Sequence, residues 1–194
     1  AVPALRDPVA PNGYLDFDYM VERLAKEKPF WDPGTDNGYH MITFGWTVGE
    51  LIRRASNQTL GTYFKDNIAT PLGLDFHIGL PDSEFDRMAK MIPFSMSADT
   101  IKSDFTKAVI ADQKSTQFLS LMNNGRYQPD APESWRAEFG GGGGISNARS
   151  LARMYDALMG DNTLLSKSRI DDMRQVSSQT ERDQTLLIPT RFGQ

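Results

Sequence analysis

The stretch Trp31–Arg54, WDPGTDNGYHMITFGWTVGELIRR, decides how the chain is read. Pro33-Gly34 specifies a turn, and Asp36-Asn37-Gly38 a second irregular bend, because these residues pre-set or tolerate the dihedrals of tight turns. Tyr39 and His40 follow directly, and then the spacing changes to that of a helix. Phe44, Val48, Leu51, Ile52 and Ala55 recur at i, i+4, i+7, i+8 and i+11, which predicts them as the buried stripe. Glu50 and Arg54 stand at salt-bridge spacing on the other face. Gly45 and Gly49, one turn apart, leave room for another element to approach. A phenol and an imidazole are thereby predicted in a tight loop at the mouth of a packed helix, where a scaffold can hold them rigid yet reachable.

Working outward, Asp16 is placed to cap a helix with Phe17, Met20, Val21 and Leu24 inward and Glu22–Lys26 paired at i, i+4. Residues 1–15 are proline-rich and irregular. Asn57-Gln58-Thr59 matches a glycosylation sequon but reads as a turn and cap. From Thr59 a second helix is predicted with Leu60, Tyr63, Phe64 and Ile68 inward, stopped by Pro71-Leu72-Gly73-Leu74. Asp75–Leu80 reads as a short strand, with His77 as a packed or surface residue. A short helix is expected near Ser83–Met91, and another over Ser115–Met122 with Phe118, Leu119 and Met122 inward. Met91, Met96 and Met122 read as core filler.

In the last third, residues 126–139 read as a loop carrying Tyr127, Trp135 and Phe139. The run Gly140–Gly144 has neither the following Lys-Ser/Thr nor the strand–helix context of a phosphate loop. It reads instead as backbone that passes close to something bulky. Ser146 is expected to cap a helix with Leu151, Met154, Tyr155 and Leu158 inward. Ser166 is expected to cap another, with Leu165 and Ile170 as a hydrophobic staple. No repeat or long linker appears, so 1–194 reads as one domain.

Composition narrows the functions. The chain has 194 residues, 39% hydrophobic and 24% charged, a net charge of −4, two histidines and no cysteine. Without a basic run, nucleic acid is not an expected partner. Two histidines outside any HExxH spacing, with no thiolates, do not build a metal site. No apolar run approaches the roughly 20 residues needed to span a bilayer. A nucleophile elbow G-x-S-x-G is absent; Gly144-Ile145-Ser146 comes nearest, but Ala148 takes the last position. No Ser-x-x-Lys occurs, and Ser146-Asn147-Ala148-Arg149 ends in a residue that cannot act as a base.

The segment 39–81, YHMITFGWTVGELIRRASNQTLGTYFKDNIATPLGLDFHIGLP, resembles the serine β-lactamase and penicillin-binding-protein superfamily, most of all its class C β-lactamase-related esterases. The segment 141–170, GGGGISNARSLARMYDALMGDNTLLSKSRI, resembles a later signature of the same family, in the family's order. The resemblance implies an α+β fold, of which this chain would be the mainly helical lobe and its flanks with much of the sheet missing. It implies a serine acyl-enzyme mechanism without a cofactor, acting on a small ester or amide, in which a Ser-x-x-Lys serine attacks the carbonyl and a tyrosine relays its proton.

That tyrosine matches Tyr39. A free phenol, with a pKa of about 10, is a poor base near neutrality, and nearby ammonium groups would favour its phenolate. His40 and Met41 fall at substrate-binding positions. Met41 stands where the family's Tyr-x-Asn pattern has asparagine, which removes an amide able to bond a β-lactam side chain. The Ser-x-x-Lys segment is expected upstream and a Lys-Thr-Gly-like strand downstream. Missing segments of the same fold, or a partner chain, would then cover the apolar helix faces, and these 194 residues alone would be inactive.

Overall fold

The computed structural model describes residues 1–92, 95, 103–159 and 164–193. Among them the order is a 3₁₀ turn at Gly13–Leu15, α1 (Phe17–Lys26), α2 (Phe44–Ser56), α3 (Leu60–Phe64), a π-helical turn at Lys65–Ala69, α4 (Thr70–Leu72), β1 (Phe76–Ile78) and a 3₁₀ helix at Asp82–Arg87. Then follow α5 (Asp104–Ala111), α6 (Thr116–Met122), α7 (Pro132–Arg136), β2 (Gly144–Ser146), α8 (Ala148–Asp156), α9 (Lys167–Met173), β3 (Val176–Thr180) and β4 (Thr190–Gly193). The architecture is α+β and mainly helical. Its strands form two antiparallel ribbons, β1 with β2 and β3 with β4. None of the described helices is long and apolar enough to cross a membrane.

Capping chemistry sets several of these starts. The Asp16 carboxylate accepts from the Tyr19 N–H at 2.9 Å, and the Thr59 and Ser166 hydroxyls accept from Thr62 and Arg169 N–H, each satisfying an N–H that the first helical turn leaves unpaired. α1 buries Met20 and Leu24 as its periodicity predicts. The core gathers these with Leu5, Val9, Tyr14, Trp46 and Phe139. The Trp46 and Phe139 rings stack at 4.9 Å, and Tyr14 meets Trp46 edge-on at 4.9 Å. Burial pushes the Tyr14 phenol up to about 12, because a phenolate there would lose its hydration.

The structure corrects the buried face of α2. Gly45, Trp46 and Gly49 face inward, whereas Phe44 is 58% and Leu51 66% exposed and Ala55 is exposed. The helix docks through its backbone at the two glycines. A Cβ on Gly45 would lie 2.1 Å from the Gly141 nitrogen and 2.7 Å from the Gly140 carbonyl carbon. The bulky neighbour that the glycine run was expected to pass is therefore α2, together with the Phe139 ring.

Other expectations shift in smaller ways. The second helix runs through Pro71 to Gly73, whose φ of +60° ends it. The π-helical turn sits just before the proline, where a missing N–H and a ring clash would otherwise break the ladder. The helix expected near Ser83–Met91 is the 3₁₀ segment Asp82–Arg87, and the 126–139 loop contains α7. α6 turns Gln117 and Ser120 inward, leaving Phe118 and Leu119 half-buried and Met122 exposed. Met91 is 53% and Met122 50% exposed, so neither fills the core; Met96 lies outside the described residues.

Ser146 is not a cap. It pairs with Phe76 in the β1–β2 ribbon, and the next residue, Asn147, caps α8 by accepting from the Ser150 N–H at 2.9 Å. The predicted inward face of α8 is also displaced, with Leu151 and Tyr155 exposed and Ser150 and Ala157 buried.

Candidate active site

The loop before α2 is built by local hydrogen bonds and then fastened from far away. The Thr35 N–H donates to the Asp32 carbonyl at 3.1 Å to close the Pro33-Gly34 turn, and Gly34 has φ +85°. The Trp31 indole donates to the Asp36 carbonyl at 3.1 Å and braces the second bend. The Tyr39 N–H donates to both carboxylate oxygens of Asp183, 3.0 Å each. The Tyr39 ring lies parallel to Phe192, with centroids 6.0 Å apart and planes 3° apart. Both partners come from the β3–β4 hairpin and the loop joining its strands.

Beside this loop opens a cavity of about 620 Å³. Tyr39, His40, Met41, Phe44, Gly141 and Phe192 form much of its wall. The three residues singled out from sequence are therefore brought to one cavity. Gly141 can form the wall facing α2 because its backbone packs directly on Ile42 and Gly45.

His40 contributes differently from the other two. Its Nδ1 lies 2.8 Å from the Gly38 carbonyl. A carbonyl only accepts, so this nitrogen carries the proton, and Nε2 accepts from the Val2 N–H at 3.1 Å. Burial, the largest influence, holds the imidazole below its ordinary pKa, and the bond to Gly38 opposes that only partly. The ring is thus a neutral brace between the loop and the N-terminal segment, and both of its nitrogens are engaged by main chain. Met41, half-buried, presents a thioether that accepts weakly and donates nothing.

Sequence reasoning missed Asp183 and Phe192. The LIPTRFGQ run is strand-like, but the polar VSSQT of β3 has no apolar alternation to reveal its partner. The Asp183 contact joins positions 144 residues apart. The local sign was an aspartate whose carboxylate collects its own following amides, Thr185 and Leu186 N–H, at 2.8 Å each.

The site is thus an open, largely apolar cavity on a mainly helical α+β lobe, with the Tyr39 ring in its wall. The chain belongs to the beta-lactamase family, whose model matches residues 2–194. It is 30% identical over 189 residues to Esterase/beta-lactamase LipL of Mycobacterium tuberculosis (strain ATCC 25618 / H37Rv), covering 92% of this chain and 43% of that protein. A family VIII carboxylesterase structure superposes with a TM-score of 0.80 at 27% identity, covering 98% of this chain and 50% of that one. A penicillin-binding-protein homolog from Caulobacter crescentus superposes at 0.78 with 28% identity and the same coverage of each chain. The chain thus spans about half the length of these relatives.

Proposed function

We propose that this chain forms the tyrosine-bearing part of a serine hydrolase of the class C β-lactamase-related type, which hydrolyses carboxylic esters through an acyl-enzyme. The observation that carries the reading is the placement of Tyr39, 41% exposed, beside a 620 Å³ cavity with its backbone bonded to Asp183 and its ring on Phe192. A proton carrier must be held rigidly and still meet solvent or substrate, and this loop supplies both. The esterase named among the relatives and the carboxylesterase among the similar structures support the ester substrate.

In this reading the remainder of the β-lactamase-related domain supplies a Ser-x-x-Lys serine and lysine and a Lys-Thr-Gly-like strand. Tyr39 takes the serine hydroxyl proton as the oxygen attacks the ester carbonyl, then returns it to the departing alkoxide. Met41 and the face of His40 shape the acyl or alcohol pocket without donating a hydrogen bond to it. β-Lactam hydrolysis, D-amino-acid peptidase activity and a non-catalytic binding role are the alternatives on the same fold.

The test is Tyr39→Phe in the complete protein. Loss of a positioned general base lowers kcat by about 10²–10⁴-fold, with KM little changed, because the proton moves only in the transition state. A folded Tyr39→Phe enzyme with wild-type kcat would refute the assignment and favour the binding role.

A further inference from the structure

Asp183 is 0% exposed, and among the described residues no lysine or arginine forms an ion pair with it. A carboxylate so placed is costly unless its oxygens are hydrogen-bonded. Here donors surround it. Oδ1 accepts from the N–H groups of Thr185, Leu186 and Tyr39, and Oδ2 from the Tyr39 N–H and, at 3.1 Å, from the Thr190 hydroxyl. The Thr190 oxygen in turn accepts from the Asn37 side-chain amide at 3.2 Å, which fixes the direction of its own O–H.

The loop that carries Asp183 is itself closed by main-chain bonds. Leu187 N–H donates to the Asp183 carbonyl, and Asp183 N–H to the Ile188 carbonyl, 2.9 Å each, with Leu187 at φ +60°. A second strap runs alongside, the Gln184 N–H donating to the Asn37 carbonyl at 2.9 Å. The loop is therefore a preformed cup, and the one distant group whose N–H enters both oxygens of its carboxylate is Tyr39.

We propose that Asp183 is a positioning residue for the reaction: through the Tyr39 main chain it fixes where the phenol sits above the cavity, while Phe192 from the same hairpin fixes the plane of the ring. The inference rests on the reading of Tyr39 as the proton carrier. Asp183 meets neither substrate nor reacting atoms.

Asp183→Asn separates this role from simple loop stability. An asparagine keeps Oδ1 as acceptor for the Thr185, Leu186 and Tyr39 N–H groups and puts an NH2 in the place of Oδ2. The Thr190 oxygen can accept from that amide, but the Tyr39 N–H, 3.0 Å from Oδ2, would face it donor to donor, so half of its forked bond turns into a repulsion that pushes the Tyr39 main chain aside. In the complete protein the expected result is a fall in kcat of about 10²-fold, the scale of an ångström misplacement of a reacting group, with KM nearly unchanged. The deciding measurement is the same substitution in a Tyr39→Phe background, where kcat should change by less than about twofold, because there is no phenol left to misplace.

Wild-type kcat in Asp183→Asn, or its full loss repeated on top of Tyr39→Phe, would overturn the proposal. Wild-type kcat in Tyr39→Phe alone would instead remove the reading beneath it. If Asp183→Asn fails to accumulate as folded protein, Thr190→Val, which removes the hydroxyl bonded to Oδ2 and with it the acceptor of the Asn37 amide, is put through the same cycle and judged by the same two outcomes.

Discussion

Replacing Gly45 by alanine sets two effects of known size against each other. In a helix interior alanine is favoured over glycine by about 0.8–1.0 kcal/mol, so an exposed site would gain stability. At Gly45 the new Cβ would stand 2.1 Å from the Gly141 nitrogen and 2.8 Å from its Cα, against ordinary contacts of 3.4 Å or more. Those atoms are backbone and cannot rotate away, so α2 and the glycine turn must separate by roughly an ångström. Overpacking of this kind costs about 1–3 kcal/mol and occasionally more, and with main chain on both sides the upper end applies. The net expectation is a loss of about 2 kcal/mol.

Gly49→Ala is the internal control. Its Cβ would meet two side chains, the Phe17 ring at 3.1 Å and the Leu60 Cδ2 at an ordinary 3.6 Å, and the half-buried Phe17 side chain can yield a few tenths of an ångström. The propensity gain should then leave the variant within about 0.5 kcal/mol of neutral, or stabilised. Urea titration of the complete protein reads both values. Equal midpoints for the two variants, or a Gly45→Ala protein as stable as the parent, would refute the idea that α2 docks backbone to backbone at Gly45. Because Gly141 also walls the cavity, Gly45→Ala should raise KM for ester substrates in the fraction that folds.

Two further outcomes are expected. With Met41 in the amide position, the complete protein should turn over short-chain aryl esters faster than cephalosporins; comparable kcat/KM on both would defeat that reading of Met41. The second concerns pH. Burial depresses the His40 pKa, so the folded state binds its proton less readily than the unfolded state, whose value is about 6.5. Its contribution is complete above that value and is lost as pH falls toward the folded pKa. The unfolding midpoint should therefore drop less steeply between about pH 7 and 5 in His40→Asn than in the parent, and parallel profiles would sink the argument.

The parts of this fold that were legible in the sequence are those fixed by neighbours a few residues apart. Asp16, Thr59 and Ser166 cap because each side chain reaches an amide three positions on. α1 buries Met20 and Leu24 because its apolar spacing is strong. The reading of α2 failed because periodicity counts side chains, whereas this helix is held by two residues that have none, with Trp46 between them. Ser146 and Asn147 are equally good caps locally; pairing with Phe76 claimed the first and left the second. Of the walls of the cavity, the loop carrying Tyr39 was legible from its turn residues. Asp183 was not, since nothing near it in the chain says that its carboxylate also receives an amide from Tyr39.

The bond between Tyr39 and Asp183 also carries a timing. The two residues are separated by 144 positions, and a ribosome adding about 5–20 residues per second needs about 7–30 s to make that stretch. Throughout that interval the nascent chain holds every residue of the tyrosine loop and lacks the group that receives the Tyr39 amide. The Tyr39 ring takes up the place it has in the folded chain only after the β3–β4 hairpin, made 144 residues later, closes over the loop that carries it.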